Sequence, residues 1–225
     1  MKLIIDDADI EAIRRMAAYY PVDGVTTNPT ILSRTGRKPY EVLKEIRDFL
    51  GDEQELHVQV TAADAEGMLK DADRIRKELG PQTFVKVPVT REGLKAIRLL
   101  SERGVSVTAT CIYTRMQAFL AGKAGAVYAA PYVKRIDNLG GDGLQTVRDI
   151  HDIYRKNDIP CRVLAASFKN SNQIQELVKY GIGAVTAPPA VIEGLIGNAL
   201  VDMAVADFAR DFEKIAGSGI TMAEA

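Results

Sequence analysis

The chain has 225 residues, 47% hydrophobic and 26% charged, the make-up of a globular domain with one substantial core. Its 29 Lys and Arg nearly cancel 30 Asp and Glu, so no bulk field draws it to nucleic acid or an anionic membrane, and any anion it binds must be held locally. Two separated cysteines and two distant histidines argue against a zinc site, and no run approaches the roughly 20 apolar residues of a membrane span. The short, quickly acidic start Met1–Asp6 is no secretory leader, so a cytoplasmic chain with reduced thiols is expected.

In chain order, short apolar and β-branched runs alternate with segments of helical spacing. Leu3–Asp6 is followed by a helix over Asp9–Tyr20, and Gly24–Asn28 by one over Pro39–Leu50. Leu56–Val60 leads into Ala63–Leu79, and Phe84–Pro88 into Arg91–Arg103. Val105–Ile112 precedes Arg115–Ala124, Val127–Val133 precedes Gly143–Lys156, and Arg162–Ser167 precedes Asn172–Tyr180. Ala184–Pro188 is the eighth run. Parallel strands with crossover helices produce this rhythm, and eight of them predict one (β/α)8 barrel domain over residues 1–225. An open doubly wound sheet would carry a glycine-rich turn after its first strand, and Asp6-Asp7-Ala8-Asp9 is no such turn.

Asp9 or Asp7 and Thr90 stand where helix caps are needed, and Gly80-Pro81 and Gly104 where helices end. Asn198–Ala216 reads as an extra amphipathic helix that covers either the barrel bottom or a neighbouring subunit.

In this architecture reactive groups project from the C-terminal ends of the strands. The eight runs carry, in order, Asp6, Asn28, Gln59, Lys86, Thr110, Tyr132 and Ser167 on the first seven. Taken together they predict a polar site at one mouth. Lys86 lies in Phe84-Val85-Lys86-Val87-Pro88, where apolar neighbours favour the neutral, nucleophilic amine; alone, it could equally snorkel or pair with Asp6. Asp6 could be a cap, Asn28 a turn former before Pro29, Gln59 a satisfied core amide, Thr110 an ordinary strand residue and Tyr132 barrel packing. Ser167 at a strand-to-helix turn and Arg135 could together hold a phosphate, although Arg135 could instead pair with Asp137. His57 reads as a core histidine, Lys134 and Lys169 as solvated or supporting charges, and Gly140-Gly141-Asp142-Gly143 as a weak phosphate-loop signal. Cys111, of opposite parity to Thr110, is expected to face a helix.

Four segments then resemble signatures of the transaldolase family: Gly24-Val25-Thr26-Thr27-Asn28-Pro29, Val85-Lys86-Val87-Pro88-Val89-Thr90, Ala130–Asp137 and Ala165-Ala166-Ser167-Phe168-Lys169. The resemblance runs over essentially the whole chain. Gln59 and Tyr132, where transaldolases typically carry Glu and Phe, match the fructose-6-phosphate aldolase branch.

The resemblance implies reversible cleavage of fructose 6-phosphate to dihydroxyacetone and glyceraldehyde 3-phosphate without metal or organic cofactor. It implies that Lys86 forms the Schiff base, Asp6 assists proton movement, Tyr132 is the acid/base, and Gln59 with Thr110 holds a water. Asn28 would bind the dihydroxyacetone hydroxyls, and Arg135 with Ser167 the phosphate. It further implies a large homo-oligomer, usually a decamer, in which the last helix reaches a neighbour. Thr108, taken as pocket-lining, and Ala187-Pro188-Pro189-Ala190 depart from the aldolase pattern and leave acceptor preference open. The alternatives are a transaldolase, which needs an acceptor aldehyde, and a non-catalytic sugar-phosphate-binding barrel, against which the presence of Lys86 argues. A deoxyribose-phosphate-type aldolase would place its lysine on the sixth strand, where Tyr132 stands.

Overall fold

A computed structural model describes residues 1–225. Eight parallel strands close into a barrel in sequential order, β1 (Lys2–Asp6), β2 (Gly24–Thr26), β3 (Glu55–Gln59), β4 (Phe84–Pro88), β5 (Val107–Ile112), β6 (Tyr128–Pro131), β7 (Arg162–Ala165) and β8 (Ala184–Ala187). β8 pairs back onto β1 over Lys2–Ile5, which completes the ring and removes every sheet edge. The architecture is therefore the expected TIM barrel and not an open doubly wound sheet.

Seven helices wrap the barrel: α1 (Ile10–Tyr19), α3 (Pro39–Phe49), α4 (Ala65–Leu79), α5 (Arg91–Glu102), α6 (Arg115–Lys123), α8 (Gly143–Lys156) and α9 (Ser171–Tyr180). Their starts follow local chemistry. The carboxylate of Asp9 accepts from the amides of Glu11 and Ala12, and the hydroxyl of Thr90 from that of Gly93, so helix-end donors are satisfied before any tertiary packing forms. Outward-facing strand residues such as Val25, Leu56, Val85 and Val107 join the inner helix faces in one core cluster of 45 buried residues. Each such aliphatic side chain contributes about 1.5–3 kcal/mol by leaving water.

The interior of the barrel differs from this outer core. Its apolar part is a cluster of four, Ile4, Tyr128, Leu164 and Ala184. Polar side chains fill the rest and satisfy one another: Tyr128 donates to Glu55, His57 bonds Thr108, and Thr26 bonds Thr186. Gly24 admits this packing because a Cβ there would collide with the Glu55 backbone of the next strand. His57 is accordingly a satisfied core histidine.

Three short helices were not visible in the periodicity: α2 (Pro29–Ser33), α7 (Val133–Asn138) and α10 (Pro189–Glu193). They follow β2, β6 and β8, which therefore end earlier than the apolar runs; β7 also ends early, before the Ala166–Ser167 turn. The last helix, α11 (Ala199–Ala216), starts at the Asn198 cap and buries none of its residues. That corrects the barrel-bottom reading, since α11 does not seal the barrel of its own chain.

Candidate active site

A cavity of about 700 Å³ opens at the C-terminal mouth of the barrel. Lys86, Asp6, Asn28, Thr110, Tyr132, Arg135 and Ser167 all line it. Gln59 does not, although it stands beside Lys86 in the β3–β4 register at the end of its strand. Thr108 lies deeper, buried and bound to His57 Nδ1 at 2.9 Å, so its expected place on the pocket wall is corrected. Lys134 lines the cavity, whereas the Gly140–Gly143 turn does not. Within that turn Asp142 caps α8.

Lys86 projects into the barrel from β4 and is 6% exposed. Its Nζ donates to the carbonyl of Thr27 at 2.6 Å. That carbonyl is held in turn, because Thr27 donates from its amide and its hydroxyl to the His57 carbonyl. Burial pushes the Lys86 amine well below the ordinary lysine range, and the Asp6 carboxylate opposes only part of this. Burial likewise raises the Asp6 carboxyl, against the attraction of Lys86 and the hydrogen bond from the Thr26 hydroxyl at 2.7 Å. Both groups shift toward their neutral forms, and no hydrogen-bonded ion pair joins them. The amine is thereby available as a nucleophile.

Tyr132 sits one residue past β6, as the residue preceding α7, and bridges to Ala166 beyond β7. Its hydroxyl is 2.8 Å from Thr110 Oγ1 and 3.7 Å from Cys111 Sγ. Two consecutive residues of β5 reach one side because the strand bulges there: the β5–β6 register shifts between Ala109 and Ile112, and Cys111 has φ 58°. The parity rule therefore fails for Cys111, which turns its thiol toward the Tyr132 hydroxyl instead of a helix. Burial raises the Tyr132 phenol to about 12, with the Thr110 hydroxyl pulling in the opposite direction. It is a proton donor at neutral pH.

Arg135, on α7, stacks its guanidinium 4.8 Å over the Tyr132 ring and donates to the Tyr113 hydroxyl at 3.3 Å. It makes no ion pair with Asp137, whose carboxylate accepts from Gly143 and Gln173. Tyr113, edge-on to Tyr132 at 5.7 Å between ring centres, contacts both Tyr132 and Arg135, an arrangement that the sequence did not disclose. Ser167 adopts φ 62°, a left-handed conformation that costs an L-residue energy and that clusters at functional loops. Asn28 is extended and accepts from the Ile31 amide to start α2, which leaves its amide nitrogen free to donate into the cavity. No three His, Cys, Asp or Glu side chains converge as metal ligands, and no helix is long and apolar enough to cross a membrane.

A buried amine of lowered basicity, a protonated phenol and a guanidinium, all at the mouth of a TIM barrel, define a site suited to carbonyl chemistry on an anionic substrate. Comparison with known proteins agrees with this class. The profile of the Transaldolase/Fructose-6-phosphate aldolase family matches residues 3–224. A probable fructose-6-phosphate aldolase of Streptococcus pneumoniae is 40% identical over 219 residues, 97% of this chain and 99% of that protein. A probable transaldolase of an Anaeromyxobacter species is 40% identical over 215 residues, 96% of this chain and 99% of that protein. Another, from Cereibacter sphaeroides, is 38% identical over 95% of this chain and 96% of that protein. The chain belongs to the transaldolase/fructose-6-phosphate aldolase family, a family of enzymes.

Proposed function

We propose that this chain is a Schiff-base aldolase that reversibly cleaves fructose 6-phosphate to dihydroxyacetone and glyceraldehyde 3-phosphate. The observation that carries the reading is the buried Lys86 amine, depressed in basicity, at the floor of the same cavity as the Tyr132 phenol. Lys86 attacks the C2 carbonyl, and loss of water leaves an iminium. The C3–C4 bond then breaks with its electrons flowing into the iminium, which forms an enamine as the C4 hydroxyl loses its proton. The Asp6 carboxyl gives the carbinolamine hydroxyl the proton with which it leaves as water and takes one in turn from the Tyr132 phenol; the phenolate so formed, favoured by the iminium charge and by the Arg135 guanidinium over the ring, accepts the C4 proton. Glyceraldehyde 3-phosphate leaves, and the same proton passes from Tyr132 to the enamine carbon. Water then hydrolyses the second iminium and releases dihydroxyacetone, freeing Lys86. The cycle is balanced by one water released and one consumed.

Asp6, held by Thr26, is placed to shuttle protons during imine formation and hydrolysis. Thr110 positions the phenol, and Gln59, beside Lys86, orients water. The Asn28 amide binds the dihydroxyacetone hydroxyls, and Arg135 with Ser167 binds the phosphate.

The alternative is a transaldolase, the name two relatives carry, which would pass the dihydroxyacetone unit to a second aldehyde. An amide at Gln59 and a phenol at Tyr132 favour the aldolase, because the phenol can protonate the enamine without an acceptor. Fructose 6-phosphate alone, with no acceptor aldehyde, should yield free dihydroxyacetone over many turnovers. A single stoichiometric release that resumes only on adding an aldehyde would identify a transaldolase.

We also read α11 as a contact between copies in a homo-oligomer. Its Leu200, Met203, Phe208 and Ile215 are 62–83% exposed, more apolar surface than a lone helix keeps in water. Light scattering should find an assembly that Phe208→Glu dissociates, and a monodisperse monomer would refute it.

A further inference from the structure

Arg135 lines the cavity from α7, and what it binds there depends on how its long side chain is held. Two contacts hold it. Its Cζ lies 4.8 Å from the centre of the Tyr132 ring, and Nη1 donates to the Tyr113 hydroxyl at 3.3 Å. No other group of the chain accepts from this guanidinium, so the edge formed by Nε and Nη2 is left for a ligand.

Tyr113 is itself anchored. It is the residue after β5, just past the bulge that brings Thr110 and Cys111 to the Tyr132 hydroxyl. Its amide donates to Gln117 Oε1 at 2.8 Å, beside the capping box of Thr114 and Gln117 that starts α6. Its ring stands edge-on to Tyr132, with 82° between the two planes. Tyr113 does not line the cavity, so its hydroxyl acts on the site only through Arg135. An arginine without such a partner samples many rotamers, and a ligand that binds it must order the side chain at a cost in affinity. A guanidinium already fixed on one nitrogen presents its remaining edge without most of that cost, and two parallel N–H donors match a phosphate.

We infer that Tyr113 is a positioning residue that holds Arg135 for the phosphate of a sugar phosphate, and so sets the preference for phosphorylated over uncharged substrates. The inference rests on the proposed phosphate contact of Arg135. It places a determinant of specificity behind the cavity wall, at the start of α6, where it acts on affinity and not on the chemistry of Lys86.

Tyr113→Phe tests this, because it deletes the hydroxyl and keeps the ring against Tyr132. In the Lys86→Met protein, which cannot form a Schiff base, titration calorimetry should show fructose 6-phosphate binding about three- to tenfold more weakly, the cost of ordering one long side chain. In an Arg135→Ala background the same substitution should have no further effect, because the group it positions is gone. With Lys86 intact, Tyr113→Phe should raise KM for glyceraldehyde 3-phosphate by a similar factor in aldol addition of dihydroxyacetone, with kcat held. Selectivity over uncharged glyceraldehyde should fall to match. Fructose 6-phosphate affinity that ignores Tyr113→Phe, or a loss that persists undiminished in the Arg135→Ala background, would overturn the inference. So would an equal fall in kcat with both aldehydes, which would assign the hydroxyl to the support of Tyr132. The calorimetric arm involves no covalent step: absence of a Lys86 adduct with the Tyr113 effect intact would overturn the proposed function and leave the inference standing.

Discussion

The Tyr132 hydroxyl is held 2.8 Å from the Thr110 hydroxyl, a contact made across the β5 bulge that also brings the Cys111 thiol to 3.7 Å. A phenol fixed this way at the cavity wall can serve as acid and base without a carboxylate. Tyr132→Phe removes the proton but keeps the ring under Arg135. Steady-state cleavage should fall about 10²- to 10⁴-fold, the usual range for a lost general acid/base. The Lys86 imine should still form and be trapped by borohydride. Equal loss of trapping would place Tyr132 in imine formation instead.

The acid limb of the pH profile should report Lys86. Only the neutral amine attacks a carbonyl, so imine formation rises with pH through the lowered lysine pKa. The Asp6 carboxylate favours the ammonium form, so Asp6→Asn should lower that pKa further and move the limb to lower pH, while slowing later proton transfers. Trapping rates measured against pH test this directly. A limb that stays in place would mean that Asp6 is neutral beside the amine.

Arg135 and Ser167 should matter in proportion to the charge on the substrate. Arg135→Ala should raise KM for fructose 6-phosphate at least tenfold, about the cost of a lost charged contact, and leave aldol addition of dihydroxyacetone to an uncharged aldehyde little changed. Equal damage to both reactions would tie Arg135 to Tyr132 chemistry instead of to phosphate.

The floor of the barrel carries a separate prediction about stability. Glu55 accepts from Lys2 at 2.6 Å and bonds His57 at 3.2 Å; burial alone would raise its carboxyl, but these partners bring it down to about 2. An unfolded glutamate protonates near 4.5, so the folded chain binds fewer protons between these values. The contribution is complete above about 4.5 and disappears as pH falls toward about 2. Glu55→Gln should cost about 1–3 kcal/mol at pH 7, the penalty for a broken buried network, and the difference from wild type should shrink in that acid window. Urea unfolding at several pH values would measure it.

Sequence periodicity carried the barrel because alternation in the strands and the 3.6-residue repeat of the outer helices are both burial patterns. Phe84–Pro88 is a strand with the bounds its apolar run indicates, and Lys86 takes the interior position that its parity requires. Backbone irregularity was less legible. Tyr132 reads as a strand residue because the chain stays extended past the last regular ladder pair, as the Tyr132–Ala166 bridge records, whereas Ser167 leaves the strand in a left-handed conformation that apolar patterning does not show. A period of two points Cys111 outward and cannot anticipate the bulge that turns it inward. The four family-like segments contain most of the candidate site, whereas Tyr113 and the commitment of Thr108 to His57 emerged only in three dimensions.

The central claim is a covalent bond at Lys86. Borohydride reduction of the protein with dihydroxyacetone, followed by intact mass and peptide mapping, tests it most directly. The account predicts one reduced adduct per chain, located on Lys86 and missing from Lys86→Met. An adduct on another lysine, or none on folded protein at a pH where the amine is neutral, would contradict it.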